Sequence, residues 1–343
     1  MISRRQALIG QAALIGAGAL AACSPKKAAP SDGGSAVPPA PTGSYVIRFA
    51  TDWRAEAEHG GVYQAQATGE YQKRGLDVRI MPGGPGVNVP QYLAAGSADM
   101  GIGSNAFEVM NLAREKVPVK AVMAAMQKDP QILMAHPDAG IKSLADLKGH
   151  PILISDAAKT SFWLWLKAKY GLSDDQVRTY TFNAGPFLSD TRAVQEGYVT
   201  SEPYTVEKEG HITPVVMLMA DNGYPGYAGM ILAPDTLIVK NPKAVQAFVD
   251  ATSAGWKSYL EGDASKADAL IMRDNPEMKP DVLAQAREKM KRYGVIQPAG
   301  GAPIGTMTEA GWKGFFDMAS GLGVYPKDLD WRAAYTLDFL PKA

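Results

Sequence analysis

The stretch FATDWRAEAEHGGVYQAQATGEYQKRGLDVRI, residues 49–80, decides how this 343-residue chain folds. Val46, Phe49 and Ala50 read as a strand that runs into Asp52-Trp53, a carboxylate beside the largest aromatic side chain. A helix begins near His59-Gly60, breaks at Gly69 and stops at Gly75, and residues 76–80 read as a second strand. A short βαβ unit of this kind places the loop after its first strand at the carboxyl edge of a parallel sheet. Open α/β folds bind ligands at that edge.

Outward from this unit the alternation continues. Residues 89–95 read as helix, 100–103 as strand, 107–115 as helix and 117–126 as strand. The pattern predicts a mostly parallel sheet with helices on both faces. The chain is expected to cross to a second lobe at 131–136. There the spacing predicts a helix start at Ser143, where Asp146 completes capping-box spacing. Strands are expected at 151–155, 178–182 and 215–218, and helices at 162–170 and 189–195. A return crossing is placed at 230–239. Asn241-Pro242 then opens a long amphipathic helix, 243–260, with Val245, Phe248, Val249, Thr252, Trp256 and Tyr259 at helical spacing. Further helices are expected at 265–273, 280–293 and 307–322.

The expected fold class is therefore α/β: two α/β lobes with a hinge and a cleft between them. Lobe 1 is discontinuous, 45–135 plus 232–343, and lobe 2 is 136–231. Ahead of them, Ser3-Arg4-Arg5-Gln6 and the apolar run 7–22 read as a signal peptide, 1–22, and the paired arginines point to twin-arginine export. Leu20-Ala21-Ala22-Cys23 has the form of a lipoprotein cleavage box, so Cys23 is expected to carry a lipid. Residues 23–44 follow as a tether, with five prolines and three glycines in 24–44 and no means of burying a core.

Composition narrows the function. The chain carries 35 basic and 35 acidic residues, so no basic surface calls for nucleic acid as a partner. Cys23 is the only cysteine, which leaves the lobes without disulfide or thiol chemistry. His59, His136, His150 and His211 are scattered without metal-binding spacing, and no metal or cofactor is expected. Around Ser104 the sequence reads GIGSN rather than GxSxG, and Gly83-Gly84-Pro85-Gly86 lacks the lysine of a phosphate-binding loop. No catalytic constellation emerges.

The segments DW (52–53), EHGGVYQA (58–65), GEYQKRGLDV (69–78) and GSADMGIGS (96–104) resemble the SsuA/THI5-like family of periplasmic solute-binding proteins, within it the branch that binds pyrimidine precursors of thiamine. A looser likeness runs from Val46 to Pro242. The resemblance implies the type II periplasmic binding protein fold and a monomer that delivers a small heterocycle to the permease and ATPase of an ABC importer from a membrane-anchored position in the periplasm. Sulfonate or taurine binding, a ligand-presenting sensor and a pyrimidine synthase are the alternatives. Fungal synthases of the family consume a histidine at the position of His59 but need a cysteine-rich motif that this chain lacks.

The candidate ligand contacts begin at the first loop. Trp53 stacks on a heterocycle or packs the lobe. Asp52 accepts from a ligand amine or caps the next turn, and His59 bonds ligand or caps its helix. Tyr63 projects its hydroxyl into the cleft or packs. Ser104 and Asn105 end a strand just before a helix, where backbone amides point at a ligand. On the opposing wall, Ser155, Asp156 and Thr160 link strand to helix. Trp163 and Trp165 follow, at least one expected to face solvent or cleft. The resemblance puts a third wall at 197–204, GYVTSEPY, with Glu202 reading a ligand N–H or lying at the surface, and Tyr204 nearby. Tyr227, with Tyr224, would close the pocket from the hinge side. A sulfonate would call for Arg54 or Arg192 at the cleft.

Overall fold

The computed structural model describes residues 42–341. The expected signal peptide, Cys23 and all but the last three residues of the tether lie outside the described residues. Ten strands make two five-stranded sheets. The first contains β1 (Tyr45–Ala50), β2 (Leu76–Met81), β3 (Met100–Asn105), β4 (Val119–Met126) and a strand from late in the chain, β10 (Ala228–Pro234). Its order is β2-β1-β3-β10-β4. The second holds β5 (Gln131–Ala135), β6 (Ile152–Ile154), β7 (Val177–Thr179), β8 (Val194–Tyr198) and β9 (Val215–Leu218), in the order β7-β6-β8-β5-β9.

Both sheets are mixed for one reason. β10 runs antiparallel to β3 and β4, and β5 runs antiparallel to β8 and β9, whereas β1 is parallel to β2 and β3, and β6 is parallel to β7 and β8. β5 and β10 are the strands by which the chain arrives from the other sheet. Ala228, the first residue of β10, pairs with the last residues of β3 and β4, and Gln131 pairs with Tyr198 at the end of β8. The arriving strands start where the others end, so the carboxyl edges of both sheets face the crossings. The crossings occupy 127–130 and 219–227. The ranges the sequence suggested for them, 131–136 and 230–239, fall on β5 and on β10 with the following helix Asp235–Lys240. Pro130, with no N–H to give a ladder, and Asp129, whose Oδ1 accepts from Gln131 N at 3.0 Å, mark the break between the two apolar strands.

The long helix Pro242–Glu261 packs on helix Gly60–Ala67, and their glycines explain the fit. A Cβ at Gly61 would lie 2.2 Å from Trp256 Cγ, one at Gly60 2.0 Å from Tyr259 Cε1, and one at Gly255 2.1 Å from the Gly61 carbonyl oxygen. Removing those methyl groups lets Trp256 and Tyr259 bury completely, each worth about 1.5–3 kcal/mol of apolar transfer. Tyr71 OH and Thr252 Oγ1, 2.8 Å apart, tie the next short helix, Glu70–Lys73, to the same long helix. On another side of the sheet Phe107 meets Phe315 of helix Glu309–Gly321 edge-on at 4.8 Å.

One element differs in kind from its sequence reading. Residues 189–195, expected as helix, end a short helix at Ser189 and then enter β8. β8 is the central strand of its sheet, buried on both faces, with Gln195 and Glu196 inward. A polar central strand carries no period-2 apolar signal, so tertiary pairing overrides local pattern here. Helix Glu202–Gly210, with Pro203 in its first turn, is an addition.

Candidate functional site

Between the facing sheet edges lies a small cavity lined by Asp52, Glu56, Glu58, His59, Ser104 and Tyr198 on its polar side and by Val62, Ile102, Met126 and Trp256 among its apolar groups. It encloses ≈ 30 Å³, room for one or two water molecules. Its floor is built by the β1 loop and the end of β3. Asp52 Oδ2 accepts from Ser104 Oγ at 2.6 Å, and its Oδ1 lies 3.2 Å from His59 Nε2. Burial pushes the Asp52 carboxyl up, but the His59 contact and the Ser104 hydroxyl outweigh it and hold the group below its ordinary value. Ser104 N donates to Glu108 Oε2 at 2.6 Å. Burial dominates there and lifts Glu108 to about 7.

Glu56 and Glu58 add two more carboxylates to the lining, and Glu202 and Glu196 stand beyond it. Burial, then the neighbouring charges of Glu58, Asp52 and Glu202, drive Glu56 well above the carboxylate range. Burial raises Glu58 despite its bond from Thr200. From the second lobe, Glu202 accepts Tyr198 N at 2.7 Å and Tyr180 OH at 3.3 Å, and burial raises it too. Glu196 takes Ser155 N at 2.9 Å and is lifted by burial to about 7. No lysine or arginine lines this cavity.

The two lobes touch across the site. Thr200 Oγ1 donates to Glu58, both almost fully buried, and Gln285 Nε2 donates to the Thr200 carbonyl at 2.5 Å. At the rim, Tyr204 OH donates to Asp281 at 2.6 Å and Lys208 pairs with the same carboxylate. Trp53 meets Phe182 with ring centroids 5.0 Å apart, and Phe182 meets Tyr180 at 5.3 Å. Phe182 has φ +59° and is 56 % exposed, an unusual conformation for a bulky residue, held at the mouth of the cleft. It also ends β7 sooner than expected.

Of the residues singled out in the sequence, the structure brings His59 and Ser104 to the cavity, Trp53 to the interlobe contact and Glu202 and Tyr204 to the opposing wall and rim. Others lie elsewhere. Tyr63 is fully buried and its hydroxyl donates to Asp274 at 3.0 Å, away from the cleft. Asn105 caps helix Ala106–Arg114 by accepting from Glu108 N at 3.1 Å. Ser155 caps the short helix Asp156–Lys159, Asp156 pairs with Lys159 at the surface, and exposed Thr160 donates to Ala157 O. Trp163 is 1 % exposed with Nε1 donating to Asp174, and Trp165 is buried too, so neither faces solvent. Tyr227 packs near Trp312 and bonds Thr308. Arg54 pairs with Glu277, and Arg192 bonds backbone of its own lobe. The sequence reading did not single out Glu56, Glu58, Thr200, Tyr198 and Phe182. Glu58, Tyr198 and Thr200 stand inside quoted motifs, but only the crossing of two lobes gives them a common site.

Comparisons with known proteins fit this architecture. The profile described as NMT1/THI5 like matches residues 56–263, more than half of the chain. The riboflavin-binding protein RibY of Chloroflexus aurantiacus is 28% identical over 248 residues, 67% of this chain and 67% of that protein. Among solved structures, the periplasmic aliphatic sulphonate binding protein SsuA from Escherichia coli matches with TM-score 0.64 at 16% identity, over 87% of this chain and 94% of that one. The putative periplasmic sulfonate-binding protein SsuA from Methylobacillus flagellatus matches with TM-score 0.60 at 17% identity, over 87% and 93%. At these identities the solved structures establish the fold, that of the two-lobed periplasmic binding proteins. With two such lobes, a cleft at the facing sheet edges and a profile match over most of both, the chain belongs to the NMT1/THI5-like family.

Proposed function

We propose that this chain is the solute-binding component of an ABC importer, a non-enzymatic carrier held in the periplasm by a lipid on Cys23 after twin-arginine export. It acts as a monomer that hands cargo to a permease driven by its ATPase. The observation that carries this reading is the cleft: cross-lobe bonds from Thr200 to Glu58 and from Tyr204 to Asp281 exist only when the lobes meet. A cargo that adds contacts to both walls shifts the population toward that closed form, with 127–130 and 219–227 as the hinge. The enclosed space is too small for a ring, so loading requires the lobes to part and close again over the cargo.

The cargo is a small flat heterocycle rich in N–H or O–H donors. Trp53 and Phe182 offer ring faces, and the carboxylates below offer acceptors. A thiamine-precursor pyrimidine suits this cleft. Riboflavin is the second reading, favoured by the relative RibY. Sulfonates suit it poorly, because no lysine or arginine lines the cavity. A pyrimidine synthase is disfavoured as well, since His59 is spent on Asp52 and no cysteine follows Cys23.

A thermal-shift and tryptophan-emission screen tests the proposal, using aminopyrimidines, riboflavin, taurine and alkanesulfonates. The expected result is a rise in Tm by mass action and quenched emission with a pyrimidine or flavin. Stabilisation by sulfonates alone would refute the cargo class.

A further inference from the structure

Resting on that solute-binding reading, we propose that the cleft is built for a cationic cargo, a heterocycle carrying a protonated amine or ring nitrogen whose positive charge meets the carboxylates buried at closure. Asp52, Glu56 and Glu58 of the first lobe line the cavity; Glu108 stands behind Asp52, and Glu202 of the second lobe faces Glu56 and Glu58 with Glu196 behind it. Their partners are almost all neutral donors: the hydroxyls of Ser104, Thr200 and Tyr180, and the backbone amides of Ser104, Ser155 and Tyr198. His59 is the one basic side chain among them. Away from the cleft, buried Asp268 by contrast pairs with Arg287 at 2.7 Å.

Three acceptors and ring atoms are left over. The Glu56 carboxylate lines the cavity and meets no hydrogen-bond donor among the described residues. Behind Glu202 and outside the cavity lining, Glu196 Oε2 is buried without a partner. His59 lines the cavity, is 3 % exposed, and its Nδ1 is unpartnered. A resident metal does not suit the gap, because no three of the described His, Asp and Glu side chains are grouped to hold one.

Burying like charges without a counter-charge is unfavourable, and two things relieve it: protons, or a cation supplied by the cargo. The titratable groups facing Glu58 are Asp52, Glu56, His59, Tyr198 and Glu202, with Asp129 behind Tyr198. A cationic cargo displaces protons from this set, so its affinity rises with pH. A neutral cargo leaves the protons in place, and an anion is repelled.

The test is calorimetric titration of the full-length protein with a matched pair: 4-amino-5-aminomethyl-2-methylpyrimidine, a cation, and its neutral 5-hydroxymethyl analogue, with riboflavin as a third probe. The expected result is at least tenfold tighter binding of the aminomethyl compound at pH 7.5. Its affinity should fall about tenfold from pH 8 to pH 6, with protons released on binding in buffers of different ionisation enthalpy. Glu56→Gln, which loses no hydrogen bond within the protein, should narrow the preference to threefold or less while leaving the circular dichroism spectrum unchanged. Equal or tighter binding of the hydroxymethyl compound or of riboflavin overturns the cationic inference and leaves the solute-binding reading standing. Binding of none of the three overturns both.

Discussion

Replacing Thr200 by valine isolates the closed form. The hydroxyl of Thr200 donates to the Glu58 carboxylate across the cleft, with the two residues 1 % and 7 % exposed. It makes no bond within its own lobe, and valine keeps its shape, so the loss falls on closure and not on the folding of either lobe. A hydrogen bond to a charged group is worth about 1.5–3 kcal/mol net. At about 1.4 kcal/mol per factor of ten, the open form gains about 10- to 150-fold on the closed one. Where only the closed form holds cargo, apparent affinity falls by the lost closed fraction. Small-angle scattering of the ligand-free variant should show a larger radius of gyration, and titration with the best cargo of the screen should show a weaker Kd, driven by faster release. An unchanged radius together with a Kd within twofold of wild type would refute the claim that this bond closes the lobes.

Two further outcomes follow from the packing and the charges. Gly61→Val drives a side chain into Trp256, which is 1 % exposed and has nowhere to go, so a loss of about 3 kcal/mol is expected from overpacking, read as a Tm lower by several degrees. A Tm equal to that of wild type would mean that the two helices separate easily. Glu108 and Glu196, lifted by burial to about 7, hold protons in the folded state that the unfolded chain gives up in the ordinary carboxylate range. The stability they contribute is fully present below that range and is lost as pH rises through about 7. Melting followed from pH 5 to pH 8 should therefore show falling stability, and Glu108→Gln and Glu196→Gln should each flatten the curve. A slope untouched by both substitutions would show that these carboxylates do not carry it.

Much of the fold was legible because local patterns agreed with tertiary demands. The βαβ unit at 49–80, the strand before Ser104 and the long helix opening at Pro242 all stand where periodicity and punctuation put them. β8 escaped, because its burial comes from being central in a sheet rather than from apolar residues. The candidate site divided along the same line. His59 and Ser104 sit next to Asp52 because all three stand at one sheet edge, after β1 and at the end of β3, which strand order alone predicts. Tyr63 and Tyr227 stood at plausible positions in sequence, but a side chain's direction depends on which neighbours claim it, and Asp274 and Thr308 claim these hydroxyls.

By itself the sequence determined a two-lobed α/β chain, a family, and the loop 52–59 as one wall of a cleft. The pairing of walls was decided only by the tertiary structure. Glu58 and Thr200 stand 142 positions apart, and nothing local to either segment encodes their contact. The same holds for charge: the chain is formally neutral, and its acidic residues are spread along its length. Closing two sheet edges on each other brings Asp52, Glu56 and Glu58 to one cavity with no lysine or arginine in its lining, and burial raises Glu56 and Glu58 above the ordinary carboxylate range.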